Sequence, residues 1–184
     1  MIELNIASIW LTGATMRYNS IVVEDIANGD GVGVSLYTQG CPHHCPGCFN
    51  SHTWDFDGGQ ELDESVIETM LYYLGKPYIN HFSILGGEPL VSKNLFPLSC
   101  LINKIRTNLP HIKIWVWTGY TFEELLQRRS EEGYLSYILK NIDVLIDGPF
   151  IQEKKDLTLK WRGSTNQRII YCAEELKKRK LTLE

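Results

Sequence analysis

The chain has 184 residues, 43% hydrophobic and 22% charged, the make-up of one globular domain with enough apolar material for a real core. A formal net charge of −4 and a pI near 5.8 leave no electrostatic footprint for nucleic acid. No run approaches the roughly 18 apolar residues of a membrane span. Residues 1–11 carry Glu3 and no basic leading region, so no signal peptide is expected and the chain is assigned to the cytoplasm.

Residues 1–15 read as an N-terminal extension and 16–184 as the domain. Residues 21–23 and 32–38 are β-branched or apolar runs separated by the turn signal Asn28-Gly29-Asp30-Gly31. They form a strand pair leading into residues 41–59, a long aperiodic stretch rich in Gly, Pro, Cys and His. Long loops in compact domains are usually functional. An alternation follows. Residues 63–74 are amphipathic, with Val66, Ile67, Met70, Leu71 and Leu74 at helical spacing and Asp63 placed to cap. Residues 81–85 form a strand ending in Gly86-Gly87-Glu88-Pro89. Residues 95–108 form a helix stopped by Pro110. Residues 112–117 form a strand ending in Thr118-Gly119-Tyr120. Residues 122–129 and 134–139 are helical, 142–146 a strand ending in Asp147-Gly148-Pro149, 168–172 a strand, and 174–180 a closing helix.

Strands alternating with helices imply an α/β domain with a mostly parallel sheet. In such sheets chemistry gathers at the carboxyl ends of the strands. The loop after residue 40 and the segments beginning at Gly86, Thr118 and Asp147 should therefore meet on one rim.

Five cysteines are present: Cys41, Cys45, Cys48, Cys100 and Cys172. An odd count with three crowded together is not a secreted disulfide framework; in a reducing compartment the crowding points to metal. Cys100 and Cys172 are isolated and read as small buried hydrophobes. Cys41, Cys45 and Cys48 have the spacing C-x3-C-x2-C, which can hold three corners of a cubane cluster and leave the fourth iron open to a small molecule. The alternative is structural zinc with His43 or His44 as fourth ligand, although histidines between two of the cysteines close a tetrahedron awkwardly.

The text around the cysteines is similar to one family. Met16-Arg17-Tyr18, the run from Gln39 through Cys41, Cys45 and Cys48 to Asn50, Thr53-Trp54, Gly86-Gly87-Glu88-Pro89, Trp117-Thr118-Gly119-Tyr120, Asp147-Gly148-Pro149-Phe150 and the segment from Trp161 to Gln167 resemble, in order, the radical S-adenosylmethionine (SAM) activases of anaerobic ribonucleoside-triphosphate reductase. Many radical SAM enzymes place an aromatic residue just before the last cysteine. Here that position is Gly47, with Phe49 following, which fits this subfamily.

The resemblance implies a partial (βα) barrel, open on one side; a complete barrel needs about 250 residues. It implies a [4Fe–4S] cluster on Cys41, Cys45 and Cys48, and SAM held near Gly47, Cys48, Phe49, Gly86, Gly87, Glu88, Thr118 and Asp147. The cluster and SAM carry the chemistry, with no catalytic side chain. The implied partners are the glycyl-radical subunit of the reductase and a one-electron donor such as flavodoxin. An activase of the formate-lyase type and a non-catalytic zinc-binding adaptor are the alternatives.

The residues taken singly leave choices open. Gly86-Gly87 is a turn or a place where a ligand touches backbone. Glu88 is an acceptor for the SAM ammonium or a helix-start charge. Asp147 is a turn former or a polar cofactor contact. Trp115 and Trp117 share one strand face, as core or as a wall beside adenine. Residues 161–167 are a surface loop or lie near the substrate segment. His52, His81 and His111 read as ordinary loop or edge histidines. The basic run 177–180 follows Glu174 and Glu175 at helix-pair spacing, so it is a solvated helix end.

Overall fold

The computed structural model describes residues 15–181, so the expected extension lies outside the described residues except for Thr15. Met16 belongs to the domain: it is 1% exposed, and its carbonyl accepts from the Leu62 N–H at 2.8 Å.

The elements follow the expected order. β1 (Arg17–Asp25) pairs antiparallel with β2 (Gly33–Thr38), and the two-residue β3 (Gln60–Glu61) pairs with β1. Next come α1 (Glu64–Leu74), β4 (His81–Gly86), α2 (Ser92–Asn108), β5 (Lys113–Trp117), α3 (Phe122–Arg128), α4 (Gly133–Asn141), β6 (Val144–Asp147), β7 (Arg168–Tyr171) and α5 (Cys172–Lys178). The sheet order is β3-β1-β2-β4-β5-β6-β7. Strands β2, β4, β5 and β6 pair in parallel through helical crossovers. β7 returns antiparallel to β6, because no α-helix lies between them to carry the chain back.

Local chemistry sets the boundaries. The Asp63 carboxylate accepts from the Val66 N–H at 3.0 Å and caps α1. Thr121 and Glu124 form a reciprocal capping box at α3, which satisfies two orphan donors of the first turn. α2 begins at Ser92, earlier than its apolar pattern predicts, and encloses Pro97. At the other end of the chain, Cys172 starts α5 rather than closing a strand.

The period-two alternation of the strands divides the molecule into two layers. Val34, Leu36, Phe82, Ile84, Ile114, Val116 and Leu145 face one way and pack with Ile67, Met70, Leu98, Ile102, Phe122, Leu135 and Ile138 of the helices. Trp115, Val144 and Ile146 face the other way, joined by Trp117, Trp161 and Ile169. Among the described residues no α-helix packs on this second face. It is roofed by the cysteine loop and by residues 148–167, and it carries the site. Its rim is level: the register pairs Thr38 with Gly86 and Trp117 with Ile146.

His81 is not a loop or edge histidine. It opens β4, in the middle of the sheet, and is fully buried. Its ring is flanked by Gly29 and Gly33, where any Cβ would strike it. Its Nδ1 meets Ser83 Oγ at 3.0 Å, and that hydroxyl donates to the Asn28 carbonyl. The glycine-rich turn of the sequence is therefore a socket for a buried imidazole. Burial pushes the imidazole pKa below its ordinary 6.5, against the pull of Asp25.

Candidate functional site

Thr38, at the end of β2, leads through Gln39 and Gly40 into the cysteine loop. That loop is pinned to neighbouring backbone on both sides: Gly40 N–H donates to the Thr53 carbonyl at 2.7 Å, and Cys41 N–H to that of Trp54 at 3.1 Å. His44 (φ 47°) and Gly47 (φ 72°) take left-handed backbone conformations, which turn the chain tightly between the cysteines. A Cβ at Gly47 would collide with the Gln152 side chain, so the glycine lets the 3-10 turn at Gln152–Lys154 close against the loop. His44 stacks on Trp54 with ring centroids 4.7 Å apart.

The loop overhangs a cavity of about 380 Å³ on the uncovered face of the sheet, within the usual range for small-molecule sites. Cys41, Cys45 and Cys48 all line it, with Gly86, Gly87 and Glu88 from the end of β4 and Thr118 from the end of β5. Burial pushes the Cys41 thiol up to about 11 and raises that of Cys45; coordination to a cation reverses such a shift outright. Backbone groups of His43 and His44 address the Cys41 sulfur, those of Phe150 the Cys45 sulfur, and Asn50 N–H lies 3.4 Å from Cys48 Sγ. Three thiols backed by peptide dipoles and open to a shared cavity fit a cluster held on one side by protein.

The family model described as a 4Fe-4S single cluster domain matches residues 27–170. The chain is 37% identical over 154 residues to the anaerobic ribonucleoside-triphosphate reductase-activating protein of Escherichia coli (strain K12), covering 83% of this chain and 96% of that protein. It is 40% identical over 158 residues to the protein of that name from Pasteurella multocida (strain Pm70), covering 85% and 97%, and 37% identical over 156 residues to the one from Enterobacteria phage T4, covering 84% and 93%. The chain belongs to this family of activating proteins.

Within the activating-protein site, the sequence-predicted residues divide. Phe49 lines the cavity and is 55% exposed, its ring 5.4 Å from that of Phe150. Thr118 is buried; its hydroxyl donates to Glu88 Oε1 at 2.8 Å and accepts from the Tyr120 N–H at 3.1 Å. Gly47 shapes the loop from outside the cavity lining.

Three of the residues make close contacts inside the protein. Glu88 is 1% exposed, and its carboxylate is already satisfied inside the protein. Oε1 accepts from Leu90 N–H and Thr118 Oγ1 at 2.8 Å each; Oε2 accepts from Gly119 N–H at 2.8 Å and meets His43 Nε2 at 2.9 Å. These four contacts tie the carboxylate to the cysteine loop and to the ends of β4 and β5. Gly87 is required by the chain itself. Its Cβ would lie 2.5 Å from the Gly40 carbonyl oxygen and 3.0 Å from that of Thr38, because the N–H groups of Gly87 and Glu88 donate to those carbonyls. Asp147 does not line the cavity. Its buried carboxylate accepts from the Phe122 N–H at 2.7 Å, at the start of α3, and is ion-paired with Arg168. That guanidinium also binds Glu123 and pulls its carboxyl down to about 2.

Two cavity residues, Asn28 and Tyr37, were not singled out as such in the sequence. They line the β2 side, where the Asn28 amide donates to Tyr37 Oη at 3.0 Å and to Asp25 Oδ2 at 2.7 Å. The signal was present: Gly33, Ser35 and Tyr37 alternate with Val34 and Leu36, marking a second, polar strand face. Trp117 joins the wall and donates its indole N–H to the Trp161 carbonyl at 2.7 Å, while Trp161 donates its own to the Gly29 carbonyl at 2.9 Å.

Proposed function

We propose that the chain reductively cleaves S-adenosylmethionine and generates a glycyl radical on anaerobic ribonucleoside-triphosphate reductase. The observation that carries this reading is the convergence of all three motif cysteines and the Gly86–Glu88 strand end on one cavity. The relatives are named as activating proteins of that reductase, which favours it over a formate-lyase-type target. In this reading the open sheet is the partial (βα) barrel of radical SAM enzymes.

Bound at the cysteine loop, a [4Fe–4S] cluster would supply the one-electron reduction that cleaves SAM to methionine and a 5′-deoxyadenosyl radical able to take a hydrogen atom from a glycine Cα. The rest is done by side chains and backbone. Cys41, Cys45 and Cys48 would hold the cluster. The peptide groups of Gly86 and Gly87 present polar backbone to the methionine end of SAM, and Glu88 holds that strand end against the cysteine loop. Leu85 and Trp117 wall the cavity with apolar surface, which keeps water from a reactive centre. The electron comes from a separate one-electron donor such as flavodoxin.

A zinc adaptor is the weaker reading. Among the described residues, no group of three or more His, Cys, Asp and Glu side chains is gathered tightly enough for one metal ion. A cubane instead gives each thiolate its own iron. Anaerobic iron and sulfide analysis separates the two metals. The decisive test is anaerobic incubation of the reconstituted protein with SAM, a reductant and the reductase, followed by electron paramagnetic resonance. A glycyl radical on the reductase is expected. Its absence, with cluster loaded and SAM present, overturns the reading.

A further inference from the structure

Residues 149–167 form an ordered projection that caps neither the helices nor the main core. Lys155 and Ser164 make an isolated antiparallel bridge. Asp156 N–H donates to the Gly163 carbonyl at 3.2 Å, and Thr165 N–H to that of Lys154 at 2.9 Å. The Gln167 side chain ties the base, accepting from Gly163 N–H at 2.8 Å and donating to the Gly148 carbonyl at 3.0 Å. A loop bonded to itself in this way is fixed before any partner arrives, which lowers the ordering cost of binding.

Its outer side combines an exposed apolar residue with a local excess of cations. Leu157 at its tip is 78% exposed. A lone exposed leucine means little, but this one stands among cations. The projection carries Lys154, Lys155, Lys160 and Arg162 against Glu153 and Asp156, on a chain whose net charge is −4. Among the described residues these four cations make no ion pair; Arg162, half-buried at the cavity wall, donates to the Gln167 carbonyl at 3.1 Å, and the three lysines face outward. The Lys155 ammonium lies 4.9 Å from the Phe49 ring centroid, so the charged strip continues to the cysteine loop. The inner side of the same projection supplies Phe150, Leu159 and Trp161 to the cavity wall.

We propose that this projection is the docking surface for the reductase, gripping an apolar side chain at Leu157 and acidic side chains at Lys154 and Lys160. The inference rests on the function proposed above and adds where the partner binds and what chemistry it presents. A segment lying along the strip is led past Phe49 to the cavity mouth, where a glycine, having no side chain, enters with least obstruction.

The test uses the cluster-loaded protein and the intact reductase under anaerobic conditions. Dissociation constants are measured for the parent, for Leu157→Ser and for the Lys154→Glu/Lys160→Glu double variant. None of the three positions lines the cavity, so cluster content and reductase-independent SAM cleavage should match the parent. Each variant should bind the reductase about tenfold more weakly or worse, the scale of a lost anchor residue. The double variant should also lose most of the salt dependence of binding. Variants that bind and activate like a competent parent overturn the docking surface and leave the functional reading standing. A parent that neither binds nor activates the reductase overturns both.

Discussion

His43, inside the cysteine loop, meets the buried Glu88 carboxylate at the end of β4 through Nε2 and Oε2, 2.9 Å apart. Gly119 makes room for it, since a Cβ there would strike the imidazole. This bond and its companions join the cysteine loop, the β4 end and the β5 end through one side chain. The rim is thus locked by a carboxylate that the sequence offered as a ligand for a cofactor.

Glu88→Gln should therefore destabilise the protein even without metal. The amide turns one acceptor oxygen into a donor facing N–H groups, and a buried mismatch of this kind costs about 1–3 kcal/mol. In a protein of this size each kcal/mol lowers Tm by about 2–4 °C. Thermal unfolding of the metal-free protein measures it. His43→Ala removes one partner at the more open edge and should cost less. Equal melting of Glu88→Gln and the parent would refute the role.

Replacing Cys41, Cys45 or Cys48 by Ala should each abolish retention of a stable cluster, because two thiolates do not define an open iron. Cys100→Ala and Cys172→Ala should keep it. Both are buried on the helical side, and burial pushes the Cys172 thiol up to about 12. Iron and sulfide content after anaerobic reconstitution reads the difference. A Cys45→Ala protein with full cluster load and SAM cleavage would dismiss the ligand assignment.

Two glycine substitutions should move stability in opposite directions. Gly87→Ala places a methyl against backbone carbonyls of Thr38 and Gly40, which cannot yield without moving the start of the cysteine loop. A loss of about 1–3 kcal/mol is expected from such overpacking, together with poorer cluster retention. Gly133→Ala at the start of α4 meets nothing within 4 Å and should stabilise by about 0.4–1 kcal/mol through the unfolded chain. Urea titration of both metal-free variants tests the pair.

His81 should make the metal-free protein sensitive to mild acid. Its folded pKa lies below 6.5, so between the two values the unfolded chain binds the proton and the folded chain does not. Stability then falls as pH drops below 6.5, by up to about 1.4 kcal/mol per pH unit for one proton. His81→Leu should flatten that slope. Unfolding free energies at several pH values between 7 and 5 decide it, and an unchanged slope would assign the acid sensitivity to other groups.

The elements, their order and the cysteine loop were legible in the sequence because each rests on local pattern. Helical spacing in residues 63–74, short β-branched strands, glycine and proline at strand ends, and C-x3-C-x2-C all act within a few positions. The level rim follows from the parallel topology that such alternation imposes. What the sequence could not decide is which partner each polar side chain finds. Glu88 is consumed by His43, Thr118, Gly119 and Leu90, and Asp147 by Phe122 and Arg168. Gly87 lies close against the backbone of residues 38–40. His81 sits in a glycine socket at the centre of the sheet. Each outcome depends on groups brought within 3 Å from distant parts of the chain, and hydrogen-bond partnership at that range is set by packing, to which residue type and spacing give no access.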